Sequence, residues 1–283
     1  MATDGPAGGA NADQIAYWNA QAGETWAAQQ DKLDRQIAPL GHAAIDALAP
    51  RPGERLIDIG CGCGQTTLEL AGEVGATGAV LGLDISRPML EVARRRAEGM
   101  ANVAFLEADA QTHAFEPAAA DGAYSRFGVM FFADPTAAFA NIRKALRPGG
   151  RLAFVCWRPL GFNDWMRVPM AAALAHVPPL PPPADPHAPG PFAFSDPERV
   201  RTILAGAGFT GVDIAPYDAF VGGHLLDEAV ALAMKVGPLG MLLRENPDKR
   251  EVIIAAVREA LAPHEGQDGV MLPAAVWIVI AQA

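Results

Sequence analysis

Cysteine is scarce in this chain: its 283 residues hold three. Two of them, Cys61 and Cys63, sit inside one glycine-rich loop. That is too few and too close for a disulfide framework. A metal site needs further Cys or His at ligand spacing, and the loop has none, so both cysteines read as small turn residues and no metal is expected. Basic charge is also in short supply, because 22 Lys and Arg against 32 Asp and Glu leave a net charge of −10. No basic run with interleaved aromatics occurs, which argues against a nucleic-acid surface. Long apolar runs are missing as well: the C-terminal stretch 270–283 is short and contains Pro273, so it does not read as a membrane span. Residues 1–11 lack the basic start and apolar centre of a secretory signal. The expectation is a cytoplasmic protein with neither nucleic acid nor membrane as partner.

What the chain has is glycine at the end of a strand. The short apolar run Leu56-Ile57 launches Asp58-Ile59-Gly60-Cys61-Gly62-Cys63-Gly64. Roughly twenty residues further on, a second apolar run, Val80-Leu81-Gly82-Leu83, ends in Asp84, the layout of a nucleotide site in which glycines admit backbone to the ligand and a carboxylate grips ribose hydroxyls. A dinucleotide site wants G-x-G-x-x-G. Here the spacing is G-x-G-x-G, and Gln65 stands where the third glycine belongs. Asp58, two residues ahead of Gly60, would repel a pyrophosphate and suits a ligand carrying an amine and a positive sulfur.

The remaining pattern alternates. Strands are expected at Leu56–Ile59, Ala79–Asp84, Val103–Glu107, Asp121–Ser125 and Arg151–Trp157, with helices at Gln65–Glu73, Pro88–Glu98 and Pro135–Leu146. Such alternation implies a parallel sheet covered by helices on both faces. Residues 13–49 read as helix in two pieces parted near Ile37–Pro39, and residues 178–191 as a proline-dense surface loop. Helix Glu198–Ala207, a strand near Val212–Ala215, helices at about Asp227–Arg244 and Pro247–Ala262, and a strand near Ala275–Ala281 complete the chain. The fold expected is α/β, a doubly wound, mostly parallel sheet of seven strands with the last antiparallel and a helical cap insertion. Its divisions are a disordered N-terminus at 1–12, a helical lid at 13–50, and a Rossmann-like domain at 51–283 with cap elements at about 158–195 and 220–270.

The loop Asp58-x-Gly60-x-Gly62-x-Gly64 with Asp84 resembles that of the class I S-adenosylmethionine-dependent methyltransferases. Glu107-Ala108-Asp109-Ala110, Asp121-Gly122-Ala123-Tyr124-Ser125-Arg126-Phe127 and Leu146-Arg147-Pro148-Gly149-Gly150-Arg151-Leu152 extend the likeness, the last two being similar to segments of the ubiquinone/menaquinone biosynthesis branch. The resemblance runs from about Arg51 to Trp157. It implies S-adenosylmethionine as cofactor and roles for matching residues. Gly60, Gly62 and Gly64 would let backbone pass the cofactor's amino-acid portion, and Asp58 would lie near its ammonium. Asp84 would accept from both ribose hydroxyls. Ile85 and Met89 would lie at adenine, while Asp109 and the Ala110 amide would meet its polar edge. Carbonyls of Ser125 and Arg126 would approach the ammonium, the Arg126 guanidinium would meet the carboxylate, and Trp26 would close over the cofactor from an N-terminal lid.

Displacement at a sulfonium has its leaving group already activated, so such an enzyme chiefly supplies proximity and exclusion of water. A general base is needed only when the acceptor arrives protonated. Candidates are His113, His176, His224 and His264, with Tyr17 and Tyr217 behind them. The ordinary reading of His224, after Gly222-Gly223, is a surface-loop histidine, and the catalytic assignment stays open. The apolar insertion between the last two strands reads as a cap over a small, partly apolar acceptor methylated at oxygen, carbon or nitrogen. A dimer interface is the alternative for that surface. Two rival functions stand beside methyl transfer: a nicotinamide-dependent oxidoreductase and a non-catalytic cofactor-binding scaffold.

Overall fold

The computed structural model describes residues 9–178, 185 and 187–283. Its parallel core follows the alternation of the sequence. Strand β1 (Arg55–Ile59) pairs in parallel with β2 (Ala79–Asp84) on one side and β4 (Ala120–Arg126) on the other. Strand β3 (Val103–Glu107) extends the sheet beyond β2, and β5 (Leu146–Trp157) extends it beyond β4. The closing strand β8 (Gly269–Gln282) runs antiparallel to both β5 and the edge strand β6 (Thr210–His224). The order is therefore β3-β2-β1-β4-β5-β8-β6, with a two-residue β7 (Glu265–Gly266) pairing to β8. Strand order reverses between β1 and β4. Such a switch point opens a crevice at the carboxyl ends of the strands, where α/β sheets bind ligands.

Local chemistry sets the helices between these strands. Helix α4 (Gln65–Val74) starts at Gly64, whose φ of 83° is left-handed, while α5 (Arg87–Arg96) begins after Ser86 with a proline in its first turn and three arginines in its last. Pro in the first turn and cations in the last suit a helix's free amides and its dipole. Helices α6 (Pro135–Ala145) and α8 (Pro197–Gly206) each begin with Pro behind an Asp cap. Asp134 accepts from the Ala137 amide at 2.9 Å and Asp196 from the Glu198 amide at 3.0 Å.

The N-terminal region departs from its expected two pieces. It forms α1 (Ala12–Asn19), α2 (Gln21–Ala28) and α3 (Gln30–Leu48), with breaks at Ala20 and Gln29 and Pro39 inside α3. Pro39 removes one helical hydrogen bond, but Leu33, Ile37, Leu40, Ala44, Ile45 and Leu48 continue one buried stripe past it, and that packing outweighs the local break. Of the segment expected to be disordered, residues 1–8 lie outside the described residues. Asn11 is buried, so the disorder expectation does not extend to it. Six residues of the proline-dense stretch, 179–184, and residue 186 also lie outside the described residues.

Two cores share β8. The main one fills both faces of the sheet, with Tyr124, Phe139 and Phe154 fully enclosed. The second lies among α7 (Asp164–Leu174), α9 (Leu226–Ala233), α10 (Gly237–Glu245), α11 (Arg250–Leu261) and the first residues of β8. The expected single helix 227–244 is thus two, parted where Gly237 adopts a φ of 67° and Pro238 follows. Among the described residues no helix is long and apolar enough to cross a membrane.

Candidate active site

The glycine turn between β1 and α4 makes one wall of a cavity at the switch point. Each of its glycines has a different reason to be glycine. A Cβ on Gly60 would stand 2.7 Å from the Gly128 Cα, so its absence lets the loop after β4 close onto the turn. A Cβ on Gly64 would stand 2.9 Å from the Ala93 Cβ, so Gly64 serves the packing of α5 and does not line the cavity. Gly62 does line it. Its φ is 54° and the nearest atom to a Cβ there is the Met89 side chain at 3.9 Å.

Asp84 ends β2 facing this turn. Its Oδ2 accepts from the Gly62 amide at 2.8 Å and its Oδ1 from the Ser86 amide at 2.8 Å. The two bonds fix the carboxylate at the cavity wall with lone pairs to spare. Burial raises the Asp84 pKa, and the Ser86, Gly62 and Ile85 amides oppose that rise. Of the twelve residues expected at the site, Trp26, Gly60, Gly62, Asp84, Ile85, Met89, Asp109, Ala110 and Arg126 line the cavity, while Asp58, Gly64 and Ser125 do not. The Ser125 hydroxyl braces the sheet, donating to the Ile59 carbonyl at 2.7 Å.

Asp58 lies beneath the turn, wholly buried. Its Oδ2 accepts from the Thr66 and Thr67 hydroxyls at 2.7 Å each, and its Oδ1 has no partner. Burial pushes its pKa up to about 6, against the lowering effect of the two hydroxyls and Arg126. Burial also raises both loop thiols, Cys63 to about 12, so neither is a thiolate nucleophile at neutral pH.

The Arg126 guanidinium has protein partners where a cofactor carboxylate was expected. It donates to Gln65 Oε1 at 2.5 Å and Asp34 Oδ1 at 3.0 Å. Asp34 comes from α3 and also accepts from Arg96 at 2.9 Å and Gln30 at 2.6 Å. This acid was missed in the sequence, though it left a signal. It falls on the buried stripe of α3 beside Leu33 and Ile37, and an acid there requires a cationic partner.

A second missed residue is Asn11. Its amide donates to Asp109 Oδ2 at 2.8 Å, and its oxygen accepts from the Ala133 amide at 2.7 Å. Asp109 also accepts from the Gln111 amide at 2.9 Å, which makes it a turn cap as well as a cavity residue. Asn19 donates to the Ile85 carbonyl at 2.7 Å and Ser86 to the Trp18 carbonyl at 2.7 Å. Trp18 meets Trp26 edge-on at 5.8 Å and Phe131 at 5.4 Å. Helices α1 and α2 thus roof the side of the cavity nearest Asp84.

The same cavity continues between the sheet and the second core, past Trp157, Trp165, Leu232, Leu239, Leu261 and Leu272. Phe127, at a φ of 63°, stacks on Trp157 at 4.1 Å, and Trp157 meets Trp165 at 4.9 Å. Among the candidate bases only His224 lines the cavity. It is buried, 2% exposed, and no surface-loop histidine. His113 packs edge-on against Phe115 away from it, and Tyr17 and Tyr217 are exposed.

An open α/β sheet with an acid at the end of its second strand opposite a glycine turn is the layout of nucleotide-cofactor folds. Comparison with known proteins shows what the chain resembles. Residues 56–150 match the family described as Methyltransferase domain. Aklanonic acid methyltransferase of a Streptomyces species is 37% identical over 42% of this chain and 54% of its own length. Nocamycin O-methyltransferase of Saccharothrix syringae is 27% identical over 80% of this chain and 84% of its own. The chain spans about half the length of the curated relatives it matches at 34–37% identity. The YcgJ protein of Bacillus subtilis shares the fold, with a TM-score of 0.55 at 17% identity over 85% of this chain and 97% of that one. Over residues 56–150 the chain is thus similar to methyltransferases.

Proposed function

We propose that this protein transfers the methyl group of S-adenosylmethionine to a small, partly apolar acceptor. The observation that carries the reading is Asp84, held by two backbone amides at the mouth of a cavity that leads under an apolar cap. The residues fit the cofactor on chemical grounds. Space opens at Gly62 where a side chain would stand, and an orphaned carboxylate oxygen of Asp58 lies below the turn. Asp84 would hold the ribose, Ile85 and Met89 would flank adenine, and Asp109 would receive its amine in exchange for Asn11. Gly60, Gly62 and Arg126 would border the amino-acid end.

When bound, the cofactor supplies a methyl carbon on a positively charged sulfur, which keeps the bonding pair as the methyl leaves. The chain's share is to align the acceptor, keep water out with α1, α2 and the cap, and remove a proton where the acceptor carries one. The oxidoreductase rival is disfavoured by the acid beneath the turn, and its phosphorylated-cofactor form also by Arg87, which pairs with Glu107 at 2.9 Å. The scaffold rival is disfavoured by one cavity that both Asp84 and Leu272 line. Calorimetry decides among the three. S-adenosylhomocysteine should bind the wild type, NADH should not, and Asp84→Asn should weaken the former at least tenfold, about 1.4 kcal/mol. Binding unaffected by the substitution, or preference for NADH, defeats the proposal.

A further inference from the structure

The end of β6 carries a bulge with a consequence for the acceptor. Val221 pairs with Leu272 and Gly222 with Met271, but the next pairing joins His224 to Val270. One residue is therefore extra on β6. Without it His224 would point away from the cavity. With it, His224 shares a face with Val221, Val270 and Leu272, since residues two apart on β8 point the same way. All four line the cavity. The bulge is built from glycine: Gly222 and Gly223 have φ values of 136° and 83°, and a Cβ on Gly222 would collide with the Val270 carbonyl.

The imidazole so placed is fixed in one tautomer. Nε2 lies 3.1 Å from the Lys32 carbonyl oxygen. A carbonyl only accepts, so Nε2 carries the hydrogen and Nδ1 of the neutral ring is a bare lone pair. Nδ1 is buried and has no partner among the described residues. Burial lowers the His224 pKa, with Arg35 and Lys32 of α3 acting in the same direction and Glu228 of α9 and the Lys32 carbonyl against it. The ring is neutral at physiological pH. The cavity it lines is mostly apolar, with Phe127 and Trp157 from the sheet side and Trp165 from α7.

Resting on the methyltransferase reading, we propose that His224 Nδ1 is the group that engages the acceptor, and that the acceptor is a hydroxyl on a flat apolar ring, a phenol or an enol. The O–H bond breaks and its proton passes to Nδ1. The freed oxygen pair forms the bond to the methyl carbon, whose former bonding pair stays on sulfur. The resulting imidazolium keeps its Nε2–H bond to the Lys32 carbonyl and returns the proton to water when product leaves.

The test uses the full chain loaded with S-adenosylhomocysteine, titrated with 1-naphthol and with naphthalene. Wild type should prefer the naphthol. His224→Phe should lose about tenfold of that preference, the effect of one lost buried hydrogen bond, while naphthalene binding persists. His224→Asn, which offers an amide oxygen near the Nδ1 position, should retain naphthol binding. Nitrogen-15 shifts of the histidine rings supply a readout independent of turnover, and a neutral Nε2–H ring at pH 7 is expected for His224. A Nδ1–H ring, a charged ring, or a naphthol preference unchanged in His224→Phe overturns the inference. Failure of S-adenosylhomocysteine to bind the wild type overturns instead the reading beneath it.

Discussion

Asp58 and Asp34 are both buried acids near the glycine turn, but only Asp34 is paired directly with cations. Asp34 is held by Arg96 and Arg126. Asp58 has two hydroxyls and an empty oxygen, and its pKa stands at about 6. A raised folded-state pKa means that the native form prefers the protonated acid. In the free protein this group's contribution to stability is greatest below pH 4 and is lost as pH rises through about 6. A cation bound nearby reverses the preference, because it favours the carboxylate. Affinity for S-adenosylhomocysteine, whose ammonium supplies that cation, should therefore climb about tenfold from pH 5 to pH 7 and then level off. Asp84 also titrates upward-shifted, so Asp58→Asn is the control that assigns the slope. Calorimetry across that range with both proteins checks it, and an equal slope in the two moves the ammonium away from Asp58.

At the scale of elements, the N-terminal helices are placed where a latch would be. Asn11, Trp18 and Asn19 reach Asp109, Ser86 and Ile85, each at or beside a proposed cofactor position, and the Trp18 ring closes on Phe131 and Trp26. An edge-to-face aromatic pair is worth about 0.5–1.5 kcal/mol beyond its buried area, and Trp18 makes two such contacts there. Trp18→Ala should then raise the cofactor dissociation rate about tenfold or more with little change in thermal midpoint, since α1 has no fully buried residue. Stopped-flow displacement measures the rate, and an unaltered rate excludes the latch. The sequence made this element legible as helix, and Trp26 and its neighbours prompted the expectation of a lid. It did not reveal Asn11 or Asp34. Their partners lie about a hundred residues away, Asp109 at a separation of 98 and Arg126 at 92, so local spacing could show that Asp34 needs a cation but not which one. The parallel strands were legible for the opposite reason: each is a short apolar run closed by its own turn chemistry, so β1 and β2 ended where expected while β6 and β8, whose extent is fixed by pairing with each other, ran longer.

Across the whole molecule, β8 joins the two cores in a single strand. Val270 and Leu272 belong to the cap cluster, while Val276 and Val279 belong to the main one. A continuous strand transmits disorder in one core to the register of the other, so the cap should not melt ahead of the sheet. Leu261 tests this and the acceptor site together. It is 3% exposed in the cap cluster, at the end of α11, and lines the cavity far from Asp84. Leu261→Ala removes buried methyl groups and leaves a cavity, at a cost of about 2–5 kcal/mol. The expected result is a lower thermal midpoint still described by one calorimetric transition, unchanged S-adenosylhomocysteine affinity, and weaker binding of 1-naphthol. Two resolved transitions would show that the cap is a separate folding unit. A loss of cofactor affinity equal to the loss of naphthol affinity would show that the two halves of the cavity are not divided between cofactor and acceptor as argued from its lining.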